Sequence, residues 1–377
     1  MIIPDAYLGI LGGGQLGRMF CVAAQTMGYR VMVLDPDPAS PAARGADRHL
    51  CADYTDRAAL TEMGRACAAV TCEFENVPAA SLEFLAQCCT VRPAAGAVAI
   101  AQDRIAEKTF LRDQGFPTAR CAVIRNSEDI AAALQSVPLP ALLKRSRWGY
   151  DGKGQARVGS ARELDAAWQS FGNAPCVLEE LLPLQTEVSV VLARGAAGEM
   201  AVYPVVENQH AAGILDISIV PARVAKPLAG QAVNMARAVA ERLDYRGVLA
   251  VEFFVLHDGR LLVNEMAPRP HNSGHYTLDA CMTSQFEQQV RALCGLPLGE
   301  VKLLSPAVMV NLLGDLWARG APRWDALLRH PRVKLHLYGK HEARPGRKMG
   351  HYTCLADNVT EALSVAREIK NILAGAA

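Results

Sequence analysis

Ala6-Tyr7-Leu8-Gly9-Ile10-Leu11 is a short apolar run ending in Gly12-Gly13-Gly14, and from Gln15 to Met27 the apolar spacing becomes helical until Gly28 stops it. Arg30 to Leu34 reads as a second buried strand. Strand, glycine turn, helix and strand, in that order, open a doubly wound α/β sheet. Apolar runs at 68–72 and up to Val91 continue the alternation, and Arg92-Pro93 closes it, which predicts an N-terminal α/β domain over residues 1–95. Gly12-x-Gly14-x-x-Gly17 followed by Asp35 satisfies the letter of a dinucleotide fingerprint. The same glycines suit another small anion at a helix N-terminus, or a tight turn with no ligand.

The whole chain has 377 residues, enough for two or three domains that each bury a core. Lys plus Arg (39) balances Asp plus Glu (38), so no global basic field suits a nucleic acid or a membrane surface. No apolar stretch approaches the roughly 18–20 residues of a transmembrane helix, and Met1-Ile2-Ile3-Pro4-Asp5 lacks a signal peptide's basic region. The cytoplasm is the expected compartment. Eleven cysteines without a C-x-x-C pair argue against a disulfide framework and a thiolate zinc site.

Beyond the first domain, residues 97–114 read as one helix, 119–124 and 139–146 as strands, and Ser160 with Glu163 as a capping box opening a helix to Phe171. Residues 176–182 are a strand or connector, 187–193 and 200–207 paired strands, and 230–243 a helix. Residues 248–255 and 261–265 form a hairpin around Asp258-Gly259; helices at 284–294 and 360–373 frame a basic segment at 338–351.

Five segments carry chemistry. Lys144 ends an apolar strand, and Gly149-Tyr150-Asp151-Gly152-Lys153-Gly154-Gln155 follows, so glycine amides and cations could cover a polyphosphate; an exposed basic hairpin is the alternative. Counting outwards from Asp258-Gly259 as a two-residue turn brings Glu252 directly opposite Glu265. Like charges about 4.5–5.5 Å apart at Cβ are destabilising unless a cation joins them, which suits Mg²⁺ better than a solvated hairpin face. Past Glu265, Pro268-Arg269-Pro270 holds an extended loop that aims a guanidinium beyond the carboxylates, as a transferring phosphoryl group requires. The connector from Glu179 to Leu182, ahead of Glu187, could meet an adenine edge and ribose hydroxyls. The late segment with Lys340, Arg344, Arg347 and Lys348 is either a phosphate clamp or a solvated loop.

In this order, Lys144, the 149–155 loop, Glu179-Glu180, Glu187, Glu252 and Asn264-Glu265 resemble the ATP-grasp superfamily. Within it, the motifs at 12–19, 72–77, 264–275 and 344–351 resemble the N5-carboxyaminoimidazole ribonucleotide synthetases of purine biosynthesis. The resemblance implies an ATP-grasp fold with an N-terminal doubly wound α/β domain, an ATP-grasp domain over 96–300 with a mobile lid at about 118–183, and a small C-terminal domain over 301–377. It implies an ATP-grasp ligase, a homodimer, that uses ATP, Mg²⁺ and bicarbonate to carboxylate 5-aminoimidazole ribonucleotide. Carried over by position, ATP falls on Arg104, Lys144, Gly149 to Gln155, Glu179, Glu180, Leu181, Leu182, Glu187, His210, Asn264 and Glu265, and the metal on Glu252 and Glu265. The ribonucleotide falls on Gln15, Leu16, Glu75, Tyr150, Asp151, Arg269, Asn272, Lys340, Arg347 and Lys348, with catalytic roles for Arg269, Lys340 and Asp151. Trp148 stands where the family commonly has glycine, and Cys72 where tyrosine is expected.

The chemistry agrees with the resemblance, because bicarbonate is a poor electrophile and its phosphorylation gives carboxyphosphate, which can release CO₂ beside the aminoimidazole. Related ATP-grasp ligases, such as a formate-dependent glycinamide ribonucleotide transformylase or a biotin carboxylase subunit, are disfavoured by Gln15-Leu16 and the 72–77 hexapeptide. A non-catalytic NAD-binding module would leave the opposed glutamates unexplained.

Overall fold

The computed structural model describes residues 1–149, 154–318 and 320–375. Tyr150, Asp151, Gly152 and Lys153, which carry several of the expectations above, lie outside the described residues.

The first sheet is parallel throughout, in the order Arg48–Leu50, Arg30–Leu34, Tyr7–Leu11, Ala69–Cys72, Thr90–Val91. Strands buried on both faces need near-continuous apolar runs, which Leu8, Ile10, Val31, Val33, Ala69 and Val70 supply. The order reverses beside Tyr7–Leu11, so the crevice beyond Leu11 and Cys72 is the topological switch point of a doubly wound sheet. The sequence pattern missed the three-residue edge strand Arg48–Leu50.

Residues 97–114 form two helices, Ala95–Ala101 and Arg104–Asp113. The break falls at Asp103, whose carboxylate accepts from the Ile105 and Ala106 amides and starts the second helix as its N-cap. A four-stranded antiparallel sheet follows, in the order Cys121–Ile124, Cys176–Glu180, Ala141–Arg145, Gln155–Val158. It is backed by Leu164 and Trp168 of the helix Ala161–Ser170, which Ser160 caps as the motif predicted.

The largest sheet runs Leu261–Ala267, Gly247–Leu256, Leu184–Arg194, Val206–Ala211, Ile214–Val220, Ala307–Leu313, Lys348–Leu355, Val333–Leu337, with Met200–Val202 paired to Leu184–Arg194. The single strand expected at 200–207 is thus two, divided around Tyr203-Pro204, and Ile214–Val220 was unforeseen. The C-terminal strands join this sheet through Ile217↔Val310 and its neighbours, while the helix Val359–Leu373 gives them their own core. All eleven cysteines are free thiols, and no helix among the described residues is long and apolar enough to cross a membrane.

The helix Gln285–Cys294 ties the first sheet to the largest one. Val290 and Leu293 pack with Phe20 and Ala24 of Gln15–Thr26. Beside them the buried Gln289 amide donates to Thr71 Oγ1 (2.8 Å) and accepts from the Val248 amide (2.7 Å). Gln289→Leu keeps the volume but strands both partners, and each unsatisfied buried group costs roughly 1–3 kcal/mol. Urea unfolding should show a loss of about 2–4 kcal/mol; an unmoved midpoint would mean that the two sheets are not joined through this amide.

Candidate functional site

Alternation along the strands Leu184–Arg194 and Gly247–Leu256 separates a core face from a site face. Val188, Val190, Val251, Phe253 and Val255 pack under the helix Lys226–Arg242. Glu187, Ser189 and Glu252 consequently fall on the opposite face.

Glu252 does pair with Glu265. The turn, however, spans three residues, His257 to Gly259, between the bonded Leu256 and Arg260, with Gly259 in the left-handed region at φ +85°. The extra residue would slip the register by one. A bulge at Asn264 restores it: Phe253 pairs with Val263, and Glu252 with Glu265.

The helix Arg104–Asp113 lies along this hairpin and lines up one charged face at i, i+3 and i+4. Arg104 Nη1 is 2.9 Å from Glu265 Oε2, Glu107 Oε1 accepts from the Met266 amide at 2.6 Å, and Lys108 Nζ donates to the Asn264 carbonyl at 2.8 Å. Burial opposes ionisation of Glu265, but Arg104, with Lys144 and His271 behind it, holds its carboxyl down at about 2. Burial and the Glu265 charge push Glu107 up to about 8. On the other oxygen-rich strand, His271 Nε2 lies 3.1 Å from Glu252 Oε1.

Lys144 and Glu179 are buried together at 2.7 Å, and Lys108 Nζ is 3.5 Å from the other Glu179 oxygen. Despite burial, the two lysines hold Glu179 at about 2. Glu179 therefore faces lysines inside the four-stranded sheet, and the connector beyond it presents Glu180, which accepts from the Arg120 amide at 2.9 Å, followed by an exposed Leu181 and a half-buried Leu182. Glu187 Oε2 is 3.3 Å from His210 Nδ1; burial disfavours the imidazolium, yet Glu187 raises the His210 pKa overall. Gly149 opens the glycine-rich loop, and Gln155 begins a strand opposite Lys144.

Arg269 is ion-paired with Glu75, whose carboxyl it holds below the usual range against the effect of burial. Asn272 makes a reciprocal amide pair with Asn311 at 3.0 and 2.7 Å. Lys340 Nζ donates to the Lys348 carbonyl at 2.7 Å, and Arg347 Nη1 to the Glu342 carbonyl at 2.9 Å. At the glycine turn, Gln15 and the buried Leu16 open the first helix, but the amides of Gly14 and Gly17 are taken by Glu73 at 2.6 and 2.5 Å. Asp35 accepts from the Gly13 amide at 2.7 Å and from Tyr54 Oη at 2.6 Å. A Cβ on Gly17 would meet the Gly12 carbonyl oxygen at 2.6 Å, so the third glycine is required by close approach of the backbone. The chain fills its own anion site with carboxylates, which removes the dinucleotide option.

Glu252 and Glu265 suit a hard divalent cation. Asn264, next to Glu265 in the chain, has a hard oxygen donor, its Oδ1, buried without a hydrogen-bond partner. Among the described residues Asp279, His336 and His351 also group their ligand atoms within 4.8 Å. There His336 is already hydrogen-bonded to Asp279 at 2.9 Å and its ring lies nearly parallel to His351, at 14°, which fits a hydrogen-bonded pair rather than converging metal ligands. Sequence reasoning overlooked Glu73, Glu107 and Lys108; the charged i, i+3, i+4 face was the visible signal for the last two.

Three family models match in succession: a ribonucleotide synthetase preATP-grasp domain over 6–102, an ATP-grasp domain over 109–286, and a phosphoribosylaminoimidazole carboxylase C-terminal domain over 307–365. The N5-carboxyaminoimidazole ribonucleotide synthase of Bacillus subtilis is 44% identical over 353 residues, 94% of this chain and 92% of that one. The chain belongs to that synthase family. The Brucella melitensis synthase is 46% identical over 93% of this chain and 96% of its own. Among solved synthases, the Staphylococcus aureus enzyme complexed with ADP superposes with TM-score 0.91 at 36% identity, covering 98% of each chain. The Aspergillus clavatus synthase in complex with ADP and 5-aminoimidazole ribonucleotide gives 0.90 at 30% identity, covering 98% of this chain and 99% of that one.

Glu73 yields a pH prediction. Burial pushes its carboxyl up to about 7, although the Gly17 and Gly14 amides favour the charged form. Below its ordinary value of 4.5 both folded and unfolded chains are protonated; between 4.5 and about 7 the unfolded chain releases this proton first, so the group subtracts stability as pH rises. Relative to Glu73→Gln, the wild-type unfolding free energy should fall by about 1–3 kcal/mol between pH 5 and 7. Parallel pH profiles for the two proteins would show that Glu73 does not titrate in this window.

Proposed function

We propose that this protein carboxylates 5-aminoimidazole ribonucleotide with bicarbonate at the expense of ATP, giving N5-carboxyaminoimidazole ribonucleotide, ADP and phosphate in purine biosynthesis. The observation that carries the proposal is the opposed pair Glu252 and Glu265 between Arg104, His271 and the Arg269 loop, in a chain of this family.

ATP would lie between the lid sheet and the site face. Lys144, Gly149, Gly154 and Gln155 would meet its phosphates, Glu180 to Leu182 its base, and Glu187 with His210 its ribose. Arg104 and Asn264 belong to the same half, and Glu179 would act by holding Lys144 in place. Mg²⁺, held by Glu252 and Glu265, would neutralise phosphate charge when bound. Arg269 projects from the loop that follows Glu265, where a guanidinium can stabilise charge on a phosphoryl group passing to bicarbonate. Glu75 keeps that guanidinium oriented through their ion pair. Residues 344–348 and Lys340 would take the ribonucleotide phosphate, with Gln15, Leu16 and Asn272 on its other side.

The lid closing over the site would exclude water that destroys carboxyphosphate. The domain limits expected from the sequence, a homodimer and a cytoplasmic setting complete this proposal.

Glu265→Gln keeps a partner for Arg104 but removes one charge from the metal pair. ADP release that depends on both bicarbonate and aminoimidazole ribonucleotide should fall by at least about 100-fold, with the thermal midpoint little changed. Normal turnover at ordinary Mg²⁺ would sink the metal assignment.

Arg347→Ala addresses the other half of the site. A hydrogen bond to a charged group contributes roughly 1.5–3 kcal/mol, so the ribonucleotide KM should rise about 10- to 150-fold while the ATP KM hardly moves. Weakened ATP with an unchanged ribonucleotide KM would place this segment in the wrong half.

A further inference from the structure

A continuous chain of buried hydrogen bonds runs behind the Glu252 carboxylate. Ser218 Oγ donates to Asn208 Oδ1 at 2.9 Å, and Asn208 Nδ2 donates to Ser189 Oγ at 2.9 Å. Ser189 Oγ meets Ser273 Oγ at 2.8 Å, and Ser273 Oγ meets His271 Nδ1 at 2.8 Å. The far ring nitrogen of His271 is the one 3.1 Å from Glu252 Oε1. Ser189, Ser218 and Ser273 are wholly buried and Asn208 nearly so, so water does not supply alternative partners.

The polarity of this chain is decided at its centre. The Ser273 amide points at His271 Nδ1 from 3.3 Å, and a backbone N–H can only donate. Nδ1 must therefore accept, and the ring proton of the neutral imidazole sits on Nε2. The hydroxyl protons then run one way: Asn208 gives to Ser189, Ser189 to Ser273, and Ser273 to Nδ1. Reversing the Asn208 amide would turn each hydroxyl around and set an Nδ1 proton against the Ser273 amide.

We propose that Ser273, Ser189, Asn208 and Ser218 are positioning residues that lock His271 as its Nε2–H tautomer, so that the ring always donates to Glu252 and fixes that carboxylate for the divalent cation. The proposal rests on the metal role given to Glu252 above. Its physical basis is general: a partner on one ring nitrogen sets what the other can do, and partners behind a metal-binding group govern its affinity. Three polar side chains buried on a β-sheet, Ser189, Asn208 and Ser218, and a fourth, Ser273, in the turn beside it would otherwise be replaceable by apolar ones at little cost.

The test uses metal-free protein carrying ¹⁵N-histidine, at alkaline pH where imidazoles are neutral, with His271→Gln assigning the signals. The wild type should show a protonated-type Nε2 and an unprotonated-type Nδ1. Ser273→Ala leaves Nδ1 only the long 3.3 Å contact from the Ser273 amide and Ser189→Ala frees the Ser273 hydroxyl to turn around, so each should give a mixture of tautomers, and Ser273→Thr, which keeps the hydroxyl, should keep the single form. With Mn²⁺ as the probe, affinity should drop about 10-fold in the two alanine variants and recover in the threonine variant. A merely structural role would lower the unfolding midpoint and leave the tautomer ratio alone. An Nδ1–H ring in the wild type, or an unmixed ring in both alanine variants, would overturn the proposal. If Glu252→Gln leaves Mn²⁺ binding unchanged while the tautomers follow the serines, the metal role falls and the tautomer lock stands.

Discussion

Two carboxylates held abreast on neighbouring strands repel one another, and the rest of the site is organised around that repulsion. Arg104 reaches Glu265 from one side and His271 reaches Glu252 from the other. Arg104 can do so only because Asp103 starts its helix at that point, and Asp103 in turn binds Ser146 and Arg147 just before the glycine-rich loop. The helix is thereby pinned to the glutamate hairpin on one flank and to the four-stranded sheet on the other. Lys108, one turn further along the helix, makes the same bridge in the core, bonding the Asn264 carbonyl at the bulge and pairing with Glu179 beneath Lys144.

At the first glycine turn the same electrostatics is resolved internally. A helix N-terminus attracts an anion, and here the anions are Glu73 and Asp35 from the ends of the adjacent strands. A dinucleotide fingerprint is written in glycines, which the turn needs for backbone approach. Whether a phosphate or a side chain occupies the amides depends on residues far away in sequence, and a local motif carries no information about them.

The opposed glutamates were legible because strand pairing has period two, yet the count succeeded through two cancelling irregularities: a three-residue turn and a bulge at Asn264. Either alone would have turned Glu265 to the core face. The long helix at 97–114 was misjudged because its apolar spacing continues through Asp103, whose capping bonds outweigh that continuity. Lys144, Glu187 and Arg269 were recognisable from their motifs. Glu73, Glu107 and the serines behind His271 were not, since what distinguishes them is burial against a partner rather than any local pattern.

The C-terminal strands show how a segment remote in sequence governs the loop that carries Arg269. Asn311, on a strand bonded to Ile214–Val220, closes a two-way amide pair with Asn272, three residues beyond Arg269. An amide pair satisfied in both directions tolerates little displacement, so the loop from Pro268 to Ser273 cannot shift without breaking buried bonds. Arg269 is held from the first sheet by Glu75 and, through its loop, from the far end of the largest sheet by Asn311. Three stretches of chain that fold around separate cores thus converge on one guanidinium, and its placement requires all of them to be docked at once.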